Sequence, residues 1–275
     1  MITTLYNEGE NILAFLKSYG LLTKLPDEFI IVDGGSNDGT IDLIKKFSEE
    51  NKDLNIKLIV DETCSKKYSV SPVAKGRNVA IKNANYDIIA VTDAGCVLTD
   101  NWLEEIVKPF TIDKDIDVVM GKNKFFIKND FQKKYEPYAL HENVYQPSSR
   151  NLAFKRSIWK QVNGYPETSL TAEDTLFNIN LKKANAKFYF NSNAIIKWEG
   201  PKDLLELKQK QIGYGRGDGF NRIDLLKFII RIPLMILPVN LLFKKGIFSG
   251  GFKIAYFHMF FYQIGYIKGL LYGRS

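Results

Sequence analysis

Two short segments of this chain end an apolar run on a carboxylate. Phe29-Ile30-Ile31-Val32-Asp33 leads into Gly34-Gly35-Ser36-Asn37-Asp38-Gly39-Thr40, and Ile88-Ile89-Ala90-Val91-Thr92-Asp93 leads into Ala94-Gly95-Cys96. A β-branched run that stops at an acid and then at small residues reads as a buried parallel strand carrying that acid to the carboxyl edge of a sheet. Open α/β sheets bind their ligands at that edge. Two acids there, with glycines that let a ligand come close to the backbone, suit a polar, hydroxyl-rich molecule such as a nucleotide sugar.

The elements that must hold these acids follow from periodicity. A short strand at Ile2–Leu5 precedes Asn7, which reads as a helix N-cap with Glu10 completing a capping box. Ile12, Phe15, Leu16 and Tyr19 then share one helical face. A helix beginning near Asp38 or Thr40, a strand over 56–60, a helix over 74–84, a strand over 87–92, a helix over 101–110 and a strand over 116–121 complete an alternation. Such alternation predicts an α/β fold with βαβ units and a mostly parallel sheet. Residues 122–150, rich in Lys, Asn, Tyr and Gln, read as a less regular segment, either a loop on the acceptor side or an insertion.

Composition bounds the function. The chain has 275 residues, 45% hydrophobic and 25% charged, with net charge +7. That is ordinary for a globular protein and favours anionic partners such as nucleotide phosphates or acidic lipid headgroups. Cys64 and Cys96 show no metal-ligand spacing and point to a reduced, cytoplasmic setting. Two histidines, His141 and His258, exclude a histidine-rich metal site. Asn7, Glu8 and Glu10 interrupt any apolar opening, so no secretory signal is read.

Past residue 200 the texture changes. Phe228 to Phe243 is strongly apolar, and Ile254 to Ile267 lacks Asp, Glu, Lys and Arg. Lys244, Lys245, Lys253, Lys268 and Arg274 flank these runs. Each run is shorter than the roughly 20 residues of a spanning helix. The pattern predicts a helical segment, residues 201–275, lying in the membrane interface; the bland alternative is a helix pair packed on the sheet.

The motifs taken together resemble a known family. Thr4-Leu5-Tyr6-Asn7-Glu8, the Asp33 segment, Lys75-Gly76-Arg77-Asn78, the Asp93 segment and Thr171-Ala172-Glu173-Asp174 occur in the order and spacing seen in family 2 glycosyltransferases of the GT-A fold. The resemblance covers residues 1–200 and implies a nucleotide-sugar-binding catalytic domain there. It implies an inverting, hexosyltransferase-like enzyme that moves a sugar from a nucleoside diphosphate to a hydroxyl, on a lipid-linked or surface glycan. Donor-binding positions by this resemblance are Thr4, Tyr6, Asn7, Glu8, Asp33, Gly35, Lys75, Arg77, Asn78, Asp93, Ala94 and Gly95.

Asp33 resembles the acid that accepts from the base. An ionised carboxylate suits the imide N–H of uracil, and equally the N1–H and amino group of guanine; uridine is preferred. On its own the residue also reads as the cap of the Gly-Gly-Ser turn. Asp93 resembles the first acid of a D-x-D pair whose second acid usually holds a divalent metal, Mg²⁺ or Mn²⁺. Here Gly95 takes the second place, and Lys197-Trp198-Glu199-Gly200 stands where many members have a histidine. Metal dependence is therefore in question, and Lys75 and Arg77 are the cations expected to meet the diphosphate.

Asp174 resembles the general base, with Glu173 as its neighbour; both also fit the acidic first turn of a helix. Arg150, Asn151, Trp198, Gln211 and Arg216 are expected on the acceptor or phosphate side, Gln211 and Arg216 by a loose likeness to the signature of processive relatives. Other nucleotide folds are excluded by their missing glycine motifs: no G-x-G-x-x-G follows a strand and no P-loop occurs. Nucleic-acid binding would rest on charge alone. The competing reading is a degenerate relative that binds a nucleotide sugar or a partner without catalysis, favoured by the missing second acid. Peripheral or monotopic attachment to the membrane surface completes the expectation.

Overall fold

A computed structural model describes residues 1–139, 147–236 and 252–272. His141, Lys244, Lys245, Arg274 and the end of the Phe228–Phe243 run lie outside the described residues. The described residues form two compact units. The first holds 1–124, 147–168 and 173–198; the second holds 125–139, 169–172, 199–236 and 252–272. The division thus differs from a single boundary near residue 200. The second unit gathers its helix Asp130–Ala139 because Tyr135 bonds His258 and Gln211 there.

The sheet has eight strands in the order β3-β2-β1-β4-β7-β6-β8-β5. They are β1 (Ile2–Leu5), β2 (Phe29–Asp33), β3 (Ile56–Val60), β4 (Ile88–Thr92), β5 (Cys96–Leu98), β6 (Val118–Phe125), β7 (Asn151–Lys155) and β8 (Phe188–Trp198). β1, β2, β3 and β4 pair in parallel. β7 joins antiparallel to β4 and to β6, and β5 joins antiparallel to β8.

β2 is buried at all five positions because it is central and covered on both faces. Its alternate residues divide accordingly. Phe29 and Ile31 enter one core with α1 (Ile12–Gly20) and α4 (Trp102–Val107), while Ile30 and Val32 enter another with α3 (Pro72–Lys82), α7 (Arg156–Gln161) and α8 (Glu173–Lys183). The face read from the sequence holds: Ile12, Phe15, Leu16 and Tyr19 are fully buried.

Three local expectations change. Asn7 does not cap a helix. It sits at φ 54°, and its side-chain oxygen accepts the Asn37 N–H at 3.0 Å. A 3₁₀ turn over Gly9–Asn11 then leads into α1 at Ile12. Asparagine tolerates the left-handed conformation, and its short amide serves the neighbouring loop better than a helix start. The helix read over 101–110 ends at Val107 and resumes as α5 (Pro109–Ile112), because proline cannot donate into the preceding turn. Within 122–150, β6 runs to Phe125 and α6 (Asp130–Ala139) follows, its Phe131 and Tyr135 rings 6.3 Å apart across one helical turn.

In the first unit α2 (Thr40–Glu50) follows β2; in the second, α9 (Leu204–Phe220) packs on α11 (Phe252–Tyr272), which also meets α10 (Leu225–Ile236). An added Cβ at Gly215 would lie 2.0 Å from the Tyr262 carbonyl, and at Gly219 2.1 Å from that of Tyr266. From the other side, one at Gly265 would lie 2.3 Å from the Ile212 carbonyl and one at Gly269 2.2 Å from that of Arg216. Glycines four apart on both helices bring backbone against backbone. Contacts advance together from Ile212–Gly265 to Arg216–Gly269, so the helices run parallel. Among the described residues, no helix is long and apolar enough to cross a membrane.

Candidate active site

Strand register brings the chemistry to one edge. Leu5 pairs with Asp33, Thr92 pairs with Asn151, and Cys96 pairs with Trp198. The segments just past Leu5, Asp33 and Thr92, and just before Asn151, therefore share the carboxyl edge of the parallel strands.

Asp33 is fully buried. Its Oδ1 accepts the N–H groups of Gly35 at 2.8 Å and Ser36 at 2.6 Å, closing the turn. Its Oδ2 is buried with no partner. Both readings of this residue thus coexist in one side chain: one oxygen caps, the other is an orphan acceptor. The glycines beside it serve packing rather than ligand access. A Cβ at Gly34 would lie 2.9 Å from the Cys64 carbonyl, and one at Gly35, where φ is +88°, 2.8 Å from Glu62. Gly95 differs, with nothing within 4 Å of an added Cβ.

Arg77 organises the centre. From α3 its guanidinium bonds Asp93 Oδ1 at 2.8 Å and Glu173 Oε1 at 2.9 Å, over the Tyr165 ring at 5.3 Å. Its side chain is 5% exposed. Burial opposes its charge, but Asp93 and then Glu173 outweigh burial and hold it ionised above its ordinary value. The sequence reading expects Arg77, with Lys75, to meet the diphosphate; in the structure its guanidinium bonds two carboxylates. Burial raises the Glu173 carboxyl above the usual range, against the pull of Arg77. Burial likewise raises Glu8, helped by Asp93 and Asp38. Asp174, next to Glu173 in the first turn of α8, accepts the Thr175 N–H at 2.8 Å.

Arg150 approaches Asp93 from the other side, its Nε 3.7 Å from Oδ2. Its guanidinium lies 4.1 Å over the Trp198 ring. Asn7 ties the β1 loop to the β2 loop, receiving from Asn37 and donating its N–H to Ser36 Oγ at 2.8 Å. Tyr6 is exposed beside it, and Ala94 is buried.

Other expected residues are used internally. Asn78 donates to Tyr165 O and Glu167, and accepts from Trp159 Nε1 and Tyr165 N. Asn151 accepts from Trp102 Nε1 at 2.8 Å and donates to the carbonyls of Lys122 and Ala194. Thr4 packs on Gly76, where a Cβ would meet Thr4 Oγ1 at 2.1 Å. Lys75 acts electrostatically on Asp61 and on Cys64, whose thiol burial pushes up to about 11. Gln211 and Arg216 belong to the second unit, Gln211 buried and bonded to Tyr135, Arg216 over the Tyr272 ring at 4.6 Å. The Tyr165–Ser149 bond, 2.9 Å, which braces the ring under Arg77, was not signalled by any motif.

A divalent cation at Asp93 would have Oδ2 to bind. Oδ1 is taken by Arg77, position 95 is glycine, and among the described residues no group of three or more His, Cys, Asp or Glu side chains gathers. Asp93 Oδ2 suits a hard cation whose remaining ligands are diphosphate and water. Such an ion would screen charge on the diphosphate.

Comparison with known proteins agrees with this architecture. The model of the family described as Glycosyl transferase family 2 matches residues 1–168. Glycosyltransferase AglE of Haloferax volcanii is 24% identical over 227 residues, covering 79% of this chain and 71% of that protein. The dolichyl N-acetyl-alpha-D-glucosaminyl phosphate 3-beta-D-2,3-diacetamido-2,3-dideoxy-beta-D-glucuronosyltransferase of Methanococcus voltae is 22% identical over 298 residues, covering 90% and 88%. Among solved structures, the mannosyltransferase PcManGT from Pyrobaculum calidifontis, in complex with GDP-Man and Mn²⁺, superposes with TM-score 0.73 at 16% identity, covering 98% of this chain and 86% of that one. That likeness establishes the fold.

Proposed function

This chain belongs to glycosyl transferase family 2, and from that premise we propose that it moves a sugar, with inversion, from a pyrimidine nucleoside diphosphate sugar to a hydroxyl of a lipid-linked or surface glycan, with Asp174 as general base. The observation that carries the donor reading is Asp33. A buried acceptor without a partner costs about 1–3 kcal/mol, which a ligand N–H removes. Guanine presents two adjacent donors that ask for both oxygens of a carboxylate. Uracil presents one imide N–H. With Oδ1 spent on Gly35 and Ser36, Asp33 has one oxygen to offer, which supports uracil.

Transfer balances simply. The acceptor oxygen bonds to the anomeric carbon opposite the leaving group, the bond from that carbon to the diphosphate oxygen breaks, and its electron pair leaves with the diphosphate. Asp174 takes the acceptor proton. Glu173 gives its carboxylate to Arg77, whereas Asp174 is oriented by Thr175, which supports Asp174 as base. Arg77 fixes Asp93 through Oδ1.

The acceptor reading is supported by the dolichyl phosphate substrate in the name of the Methanococcus voltae relative. It is also supported by α10, where Leu226, Ile229 and Ile230 are exposed beside exposed Lys227 and Arg231. Apolar and basic residues together on one exposed helix suit an anionic membrane surface. Calorimetric titration with UDP and GDP tests the donor. UDP is expected to bind at least about tenfold tighter, and Asp33→Asn to erase the preference. Equal affinity, or preference for GDP, would overturn the reading of Asp33.

A further inference from the structure

We propose that Gly217 of α9 is a positioning residue for Asp174, acting through Thr171. The inference rests on the reading of Asp174 as general base and adds what aims that carboxylate.

The glycines of α9 fall in two rows, because two residues advance a helix by about 200°. Gly215 and Gly219 lie against α11. Gly213 and Gly217, with Asn221 just past the end of the helix, form the other row. That row holds the segment Ser169–Ala172. The Thr171 hydroxyl donates to the Gly213 carbonyl at 3.2 Å. The Asn221 amide donates to Ser169 Oγ at 2.9 Å and to the Gly217 carbonyl at 2.8 Å. Ser169 is fully buried, and its hydroxyl donates to the Thr171 carbonyl. A Cβ at Gly217 would collide with Thr171 Oγ1 and lie 2.9 Å from the Thr171 carbonyl carbon. Thr171 would have to shift, backbone included, to admit any other residue there.

The held segment ends on a left-handed residue. Ala172 stands at φ 68°, a conformation that a residue with a Cβ keeps only where its surroundings impose it. Glu173 comes next, bonded to Arg77, and then Asp174, oriented by the Thr175 N–H. The chain is therefore fixed before Ala172 by α9 and after it by Arg77, and Asp174 takes its aim from that entry into α8. A general base must lie within hydrogen-bond reach of the proton it takes. A misplacement of about 1 Å from a change far from the chemistry can cost about 10²-fold in rate.

The test uses the full chain with Asp174→Cys, labelled at that position with a trifluoromethyl tag; Cys64 and Cys96 are buried and leave the reagent to residue 174. The fluorine resonance reports position without donor, acceptor or catalysis. Gly217→Ala is expected to shift it. Thr171→Ala, which clears the colliding hydroxyl, is expected to bring the resonance back when the two are combined, a non-additivity that marks direct contact. A resonance unmoved by Gly217→Ala overturns the inference. So does a shift, or a loss of folding, that Thr171→Ala fails to repair. With Asp174 in place, Gly217→Ala should lower kcat by about 10²-fold while UDP affinity stays within about twofold; an equal loss of UDP binding also overturns the inference. Transfer at the full rate in Asp174→Asn would instead remove the base reading, whatever the tag shows.

Discussion

Arg77→Met tests the centre of the site. Methionine nearly matches the length of the side chain but removes the charge, leaving Glu173 buried at 16% side-chain exposure with its partner gone. Breaking a buried ion pair by deleting one partner costs about 3–5 kcal/mol. Asp93 retains 36% side-chain exposure, so water recovers most of its share, and that half of the network adds only about 0–1 kcal/mol. Packing against the Tyr165 ring is largely kept by the thioether. The expected loss is therefore roughly 3 kcal/mol, carried mainly by Glu173.

The assay is urea unfolding of the first unit's transition at neutral pH, with Arg77→Met compared to Arg77→Met/Glu173→Gln. Removing the stranded charge should return at least about 1 kcal/mol. The sign with pH follows from burial, which raises the folded-state carboxyl of Glu173. A raised carboxyl favours the protonated form in the folded chain. Its stabilising contribution is complete below the unfolded value, about 4.3, and is lost as pH rises through the folded value. The defect of Arg77→Met should accordingly shrink on acidification. A loss below about 1 kcal/mol, or a double variant no more stable than the single one, would refute the assignment of Arg77 as the neutraliser of Glu173.

Asp174→Asn should keep UDP binding while transfer falls by about 10²–10⁴-fold, the usual contribution of a general base; transfer at the unaltered rate would remove Asp174 from that role. Glu8→Gln should stabilise the chain near neutral pH and lose that advantage on acidification, because burial, Asp93 and Asp38 all raise the Glu8 carboxyl. A stability curve parallel to that of the unaltered chain would contradict this. Gly265→Ala should destabilise the second unit by about 1–3 kcal/mol, since its Cβ would fall 2.3 Å from the rigid Ile212 carbonyl; unchanged thermal unfolding would mean that the two helices separate freely.

The sequence by itself determined the parts whose signal is local. Apolar runs ending on Asp33 and Asp93 announced buried strands and their carboxyl edge, since a strand covered on both faces can be written in few ways. The face of α1 was legible for the same reason, its four apolar residues recurring at helical spacing. Glu173 and Asp174 marked the start of a helix because acids favour that end of the dipole.

Tertiary structure alone decided how those parts are used. Nothing near Arg77 in the chain tells that two carboxylates, 16 and 96 residues away, will consume it. Nothing near Asn78 or Asn151 tells that their amides will satisfy buried backbone groups and indoles, or that Arg150 will lie over the face of Trp198. Those outcomes depend on which strands pair and in what register. The short strand β5 and the mixed-polarity β8 carry too little periodicity to reveal it. Asp33 shows the division within one residue: its type and place were readable, but that one oxygen is spent on the turn and the other kept free required the folded loop.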